Sequence, residues 1–184
     1  MAEYSDNELN QLFDTFSCAK DNDLVDFLKE KALLYERICK SRTYLVIDME
    51  TFIREGVFEL LGYFSLAIQV LKFPDGMSKS LIKKIHGCSY KDKAGNMIEA
   101  YPVFLLGQIA KNDAFANRIE GKILFDMALG LLYDASNIVG CRTVLVDCRP
   151  IEKLKNVYRQ NGFIEVSHCI ERNEQYDQMV RVLK

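Results

Sequence analysis

Residues 101–110 read YPVFLLGQIA, residues 111–118 read KNDAFANR, and residues 119–138 read IEGKILFDMALGLLYDASNI, with Gly140 just beyond. The first run has strand character, and its glycine at 107 marks a bulge or a place where another backbone or a ligand comes close. The second is a polar turn. The third predicts a helix that is apolar over much of its surface, with Asn117 as N-cap, Glu120 three residues on as its reciprocal partner, and Gly140 as the stop. Downstream, residues 142–147 (RTVLVD) predict a short buried strand. Pro150 opens a helix that runs to Gln160 and is ended by Gly162. Residues 163–169 and 178–183 predict two closing strands around the polar turn 171–176. Strands that alternate with helices in this way define an α/β chain.

Upstream, the signals are broader. Residues 12–18 alternate loosely, as a weak first strand would. Residues 22–40 carry apolar positions mostly at helical spacing, with Asp21 or Asp23 as cap. Residues 42–49 (RTYLVIDM) predict a strand, and residues 57–71 (VFELLGYFSLAIQVL) a long buried one. Residues 72–95 then interrupt the pattern with Pro74, Gly76, Gly87 and Gly95, so a long loop with a short helix at 78–85 is expected. Six lysines (Lys72, Lys79, Lys83, Lys84, Lys91, Lys93) stand there against Asp75 and Asp92, giving 6 − 2 = +4 in a chain whose net charge is −2.

A length of 184 residues at 49% hydrophobic composition suits one domain with an ordinary core. The net acidity argues against a protein that coats nucleic acid or an anionic membrane with its whole surface. No apolar run approaches the roughly 18 residues of a membrane span, and the opening MAEYSDNELN lacks the pattern of a signal peptide, so a cytoplasmic location without membrane association is expected. The six cysteines, Cys18, Cys39, Cys88, Cys141, Cys148 and Cys169, form no CxxC pair and accompany only two histidines, so they signal neither a metal site nor a disulfide framework.

The order of elements across residues 101–166 resembles the GNAT family of N-acetyltransferases. In that family a strand leads into Q/R-x-x-G-x-G/A at the start of a long helix, and a later helix carries a tyrosine just before Gly-Phe. Here the strand ends Leu106-Gly107-Gln108-Ile109-Ala110, the helix opens Arg118-Ile119-Glu120-Gly121-Lys122-Ile123, and the later helix closes Val157-Tyr158-Arg159-Gln160-Asn161-Gly162-Phe163. The chain departs from the family at Ile123, where Gly or Ala is preferred, and at Ile151, where many relatives have asparagine.

The resemblance implies a mixed, mostly antiparallel sheet of about seven strands flanked by helices, with parallel central strands splayed to admit a cofactor. It implies a single domain over residues 1–184, in which 1–100 form the acceptor side, including the basic insert 72–95, and 101–184 form the acyl-CoA-binding core. The implied reaction is transfer of an acetyl group from acetyl-CoA (coenzyme A) to a primary amine, directly within a ternary complex. A helix N-terminus is a ready anion site, so Asn117, Arg118, Glu120, Gly121 and Lys122 are assigned to the diphosphate of the cofactor. Gln108, Ile109 and Ala110 would bind the pantetheine arm mostly through their main chain, with an amide near Ile109 facing the developing oxyanion. Tyr158 takes the place of the general acid that protonates the leaving thiolate. Glu99 is the first candidate for a base, with Glu50 and Glu59 behind it.

The acceptor is a small-molecule or peptide amine. The segment 139–146, together with the Tyr-Gly-Phe helix, also looks like the tRNA-targeting acetyltransferase toxins, for which the lysine-rich insert would meet a phosphate backbone. Ile123 and Ile151 leave room for a third alternative, a fold of this type that binds acyl-CoA without turnover. A homodimer is compatible with all three.

Overall fold

The computed structural model describes residues 4–171 and 174–183. The first helix, α1 (Asp6–Asp14), begins at a reciprocal cap in which the Ser5 hydroxyl accepts from the Glu8 amide while the Glu8 carboxylate accepts from the Ser5 amide at 2.7 Å. The expected strand at 12–18 is therefore not one: Leu9, Leu12, Phe13 and Phe16 recur at helical spacing, and the last two are buried. Next come α2 (Asn22–Asp26), capped by Asp21, a π-helical turn (Phe27–Lys31) and α3 (Ala32–Arg37). Strand β1 (Arg42–Ile47) follows, and then a helix the sequence did not signal, α4 (Met49–Glu55), capped by Asp48 and closed by Gly56 in the left-handed region.

Strand β2 (Leu60–Lys72) and strand β3 (Ala100–Lys111) enclose the basic insert. That insert is more ordered than a long loop. It holds α5 (Lys79–His86), which buries Ile82 and Ile85 while Lys79, Lys83 and Lys84 stay exposed, and a tight turn in which Lys91 bridges to Met97. A 3-10 turn (Asp113–Phe115), α6 (Gly121–Val139), β4 (Thr143–Cys148), α7 (Glu152–Gln160), β5 (Ile164–Glu171) and β6 (Glu174–Val182) complete the described chain. Pro150 lies before α7 and not at its first position, which Glu152 takes. Of the expected polar turn 171–176, residues 172 and 173 lie outside the described residues, and the rest is strand.

Among the described residues six strands, in the order β1-β2-β3-β4-β6-β5, stand where seven were expected, because the first of those is α1. β1 pairs antiparallel with β2, and β6 antiparallel with both β4 and β5. β3 and β4 are parallel, in register at Phe104↔Val144 and Leu105↔Leu145.

By compactness the chain falls into two units, Met1–Ala67 with Gly107–Gly130, and Ile68–Leu106 with Leu131–Lys184. The core of the first gathers Phe13, Phe16, Phe27, Leu28, Leu60 and Tyr63, with the Tyr63 hydroxyl donating to the Leu24 carbonyl at 2.6 Å. The core of the second gathers Leu71, Ile85, Val103, Leu145 and Val180.

Within the first unit, Gly62 is required by space. A Cβ there would stand 2.6 Å from the Ala110 carbonyl oxygen and 2.9 Å from Leu124 Cδ1. Because the nearest atom is backbone, Gly62→Ala is expected to force β2 away from the end of β3 and to destabilise the chain by about 1–3 kcal/mol. Urea denaturation of the variant checks this, and an unchanged midpoint would contradict the close approach.

Candidate active site

The residues singled out in the sequence fall in two groups, each within its own unit. In the first unit they surround the passage from β3 into α6. Gln108 and Ile109 are half-buried and Ala110 is buried. Lys111 turns its ammonium back onto the carbonyls of Ala116 (2.8 Å) and Ile119 (3.1 Å).

Asn112 is fully buried and binds in every direction. Its amide nitrogen donates to the carbonyls of Leu60 (2.9 Å) and Thr15 (3.1 Å), and its amide oxygen accepts from the backbone of Ala114 (3.1 Å) and Ser17 (3.2 Å) and from the Ser17 hydroxyl. The end of β3 and the turn after it are thereby fixed in place.

α6 starts at Gly121, so exposed Asn117, in the turn before it, is not the N-cap expected from the sequence. The reason is local: the 3-10 turn and its continuation occupy residues 113–118, and the chain enters the helix only after Glu120. The amides of Gly121 and Lys122 stand in the first turn, where an α-helix supplies no carbonyl for them, whereas Ile123 donates to the Glu120 carbonyl at 3.0 Å. Nothing lies within 4 Å of where a Gly121 Cβ would stand, so the helix mouth is open there.

Arg118 is engaged elsewhere. Its guanidinium pairs with Asp48 and with Glu59 (2.5 Å) and reaches the Thr51 hydroxyl at 3.1 Å. Asp48, which also caps α4 by accepting from the Thr51 amide at 3.0 Å, is held below the usual carboxylate range, first by that cap bond and then by Arg118, against the opposing effect of burial. Lys122 pairs with Asp126 one turn on, on the exposed face of α6.

In the second unit the residues lie around α7. Tyr158 is 9% exposed and packs edge-on against Phe163, with ring centroids 5.6 Å apart. Burial raises the pKa of its phenol above the ordinary tyrosine value, and so does the neighbouring Cys148. A phenol in this setting is fully protonated at neutral pH. Cys148 closes β4, and burial together with the Asp177 carboxylate pushes its thiol up to about 11, which makes it a packed thiol and not a nucleophile.

Beside them is a charge network. Lys155 bridges Asp177 (2.5 Å) and Glu165 (2.7 Å), His168 also binds Asp177, and Arg159 joins Glu152 to Glu165. Glu165, His168 and Asp177 could together hold a metal ion, but the Lys155 ammonium already stands between the two carboxylates. Glu99, the first base candidate, lies exposed before β3, and its carbonyl accepts from the Phe73 amide at 2.7 Å.

Sequence reasoning found the end of β3, the existence of α6 and the helix that bears Tyr158, but it set the start of α6 too early. It did not find Asn112, the Asp48 and Glu59 pair on Arg118, or the Lys155–Asp177 pair. Only Asp48 carried a local signal, as an acidic residue three positions before Thr51 at the head of α4.

Solved structures share this fold. A tyrosine-to-phenylalanine mutant of KacT matches at 24% identity and TM-score 0.65, over 90% of this chain and 85% of the other. AtaT complexed with acetyl-methionyl-tRNAfMet matches at 21% and 0.64, over 90% and 85%. AtaTR bound with AcCoA matches at 22% and 0.63, over 96% and 87%. At these identities the likeness is one of fold, and the mixed, mostly antiparallel sheet flanked by helices expected from the sequence is the one found. No protein-family profile matches the sequence, and neither does any curated protein.

Proposed function

We propose that this chain, built on the fold of KacT and AtaT, is an N-acetyltransferase that moves the acetyl group of acetyl-CoA onto a primary amine. The observation that carries the reading is the open first turn of α6. Gly121 is glycine although neither its backbone nor its neighbours demand it, since a Cβ there would meet nothing within 4 Å. A side chain at that point would instead stand in front of helix amides that are free to take an anion.

In this reading Asn117, Arg118, Glu120, Gly121 and Lys122 form the diphosphate cradle. The main-chain amides supply the attraction, because the Arg118 side chain is already neutralised by two carboxylates and Lys122 pairs with Asp126. The backbone of Gln108, Ile109 and Ala110 holds the thioester arm. The neutral amine attacks the thioester carbonyl, the C–N bond forms, and the oxyanion collapses with loss of the thiolate. Tyr158 donates its phenolic proton to that sulfur and recovers one from solvent, while the attacking nitrogen gives up its proton to Glu99 or to water. A cytoplasmic location and the single-domain reading belong to this proposal.

For the acceptor, the aminoacyl end of a charged tRNA is favoured over a small amine. One of the neighbouring structures holds acetyl-methionyl-tRNAfMet, and α5 turns Lys79, Lys83 and Lys84 outward on a chain that is otherwise acidic.

Calorimetry tests the cofactor step. Acetyl-CoA is expected to bind the pure folded protein and raise its melting temperature, and Gly121→Glu is expected to weaken binding by at least about tenfold while leaving the melting of the free protein unchanged or higher. Absence of heat, with no melting shift in the unmodified protein, would refute the assignment. The acceptor is tested by incubation with acetyl-CoA and charged tRNA, where acetylated aminoacyl-tRNA is the expected product. Its absence alongside thiol release with simple amines would move the acceptor to small molecules.

A further inference from the structure

α7 carries Tyr158, yet little in the helix itself fixes where it lies. It is nine residues long, and Ile151 at its N-cap makes no side-chain bond to the first turn. Helices of that length do not hold their place by propensity; tertiary contacts must do it. One of those contacts is made by Lys155, one turn before Tyr158 on the same side of the helix. Its ammonium reaches Asp177 at 2.5 Å and Glu165 at 2.7 Å, with side chains only 11%, 3% and 28% exposed respectively.

Asp177 belongs to the sheet and not to the helix. It stands opposite Cys148 in the β4–β6 register and opposite His168 in the β5–β6 register, and His168 Nδ1 binds it as well. Its carboxylate is therefore a fixed point, and among the described residues Lys155 is the α7 side chain that pairs with it. A buried pair of this sort contributes little net stability but ties its partners to one arrangement, and removing one member leaves a stranded charge that the structure relaxes to relieve.

We infer that Lys155 and Asp177 are positioning residues for Tyr158: their ion pair sets the rotation of α7 on the sheet and hence where the phenol stands. This rests on the reading of Tyr158 as the proton donor. The consequence is that breaking the pair moves the acid without touching the residues assigned to the cofactor.

The test uses the full chain with ring-13C-labelled tyrosine, the Tyr158 signal being the one missing from Tyr158→Phe. Asp177→Asn and Lys155→Met are each expected to shift and broaden that signal while the Tyr63 signal stays, which separates a local movement from unfolding. In turnover, Asp177→Asn is expected to lower kcat by about 10–100-fold with KM for acetyl-CoA within about twofold. In a Tyr158→Phe background the same substitution is expected to cost nothing further, because the group it positions is gone. An unmoved Tyr158 signal overturns the inference, as does an equal fold-loss in both backgrounds. Should Tyr158→Phe itself leave the rate intact, the acid assignment fails instead, and the NMR comparison still decides whether the pair places the ring.

Discussion

Replacing Tyr158 by phenylalanine is expected to slow acetyl transfer by about two to four orders of magnitude while leaving acetyl-CoA affinity within about threefold. The substitution removes one oxygen from a ring that is buried against Phe163, so the packing that holds α7 survives. In the proposed reaction, what is lost is the proton for the departing thiolate. Burial keeps that proton in place in the resting protein, since it raises the phenol above its ordinary pKa. The residual rate reports how well water substitutes. Thiol release from acetyl-CoA, followed with charged tRNA and with a simple amine, measures it. An undiminished rate with both acceptors would remove Tyr158 from the reaction.

Asn112→Leu is expected to be the most damaging single change to stability among those considered, at about 3–5 kcal/mol, or a melting temperature lower by on the order of 10 °C. Leucine fills nearly the same volume, so the cost does not come from a cavity. It comes from the backbone groups of Thr15, Ser17, Leu60 and Ala114, which lose their partner at a point with no exposed surface. Asn112→Asp should do no better. It keeps an acceptor but points a carboxylate at the two carbonyls that asparagine satisfied. Calorimetric or denaturant unfolding decides the matter, and a midpoint equal to that of the unmodified protein would show that water replaces the amide without loss.

The second half of the chain was largely legible because its signals are local. Gly140 and Gly162 close their helices in the left-handed region, as a residue without a side chain does most easily. The runs RTVLVD and YPVFLLGQIA are strands because little else accommodates such consecutive branched and aromatic residues between turns.

The first half was read less well for two reasons. Residues 12–18 alternate over a span too short to distinguish two periods, and the Ser5–Glu8 cap that decides for a helix lies outside that window. α4 was missed because seven residues between two strands carry no periodicity, only a capping aspartate and a closing glycine. The site followed the same division. Motif positions could be placed by their order, whereas Asn112 and Arg118 are held by partners 52 to 97 residues away and Lys155 pairs with Asp177, 22 residues on, and no short window of sequence contains such pairs.

The Asn112 amide also constrains when the chain can finish folding. Its bonds to Thr15 and Ser17 join residues separated by 97 and 95 positions, and its compact unit is completed only by Gly107–Gly130. At roughly 5–20 residues per second of ribosomal synthesis, the first 67 residues wait several seconds for the segment that closes over them. During that interval Phe13, Phe16, Phe27 and Leu28 lack part of their final cover. The first unit therefore cannot close before residue 130 has emerged, and any activity the chain has begins only after that point.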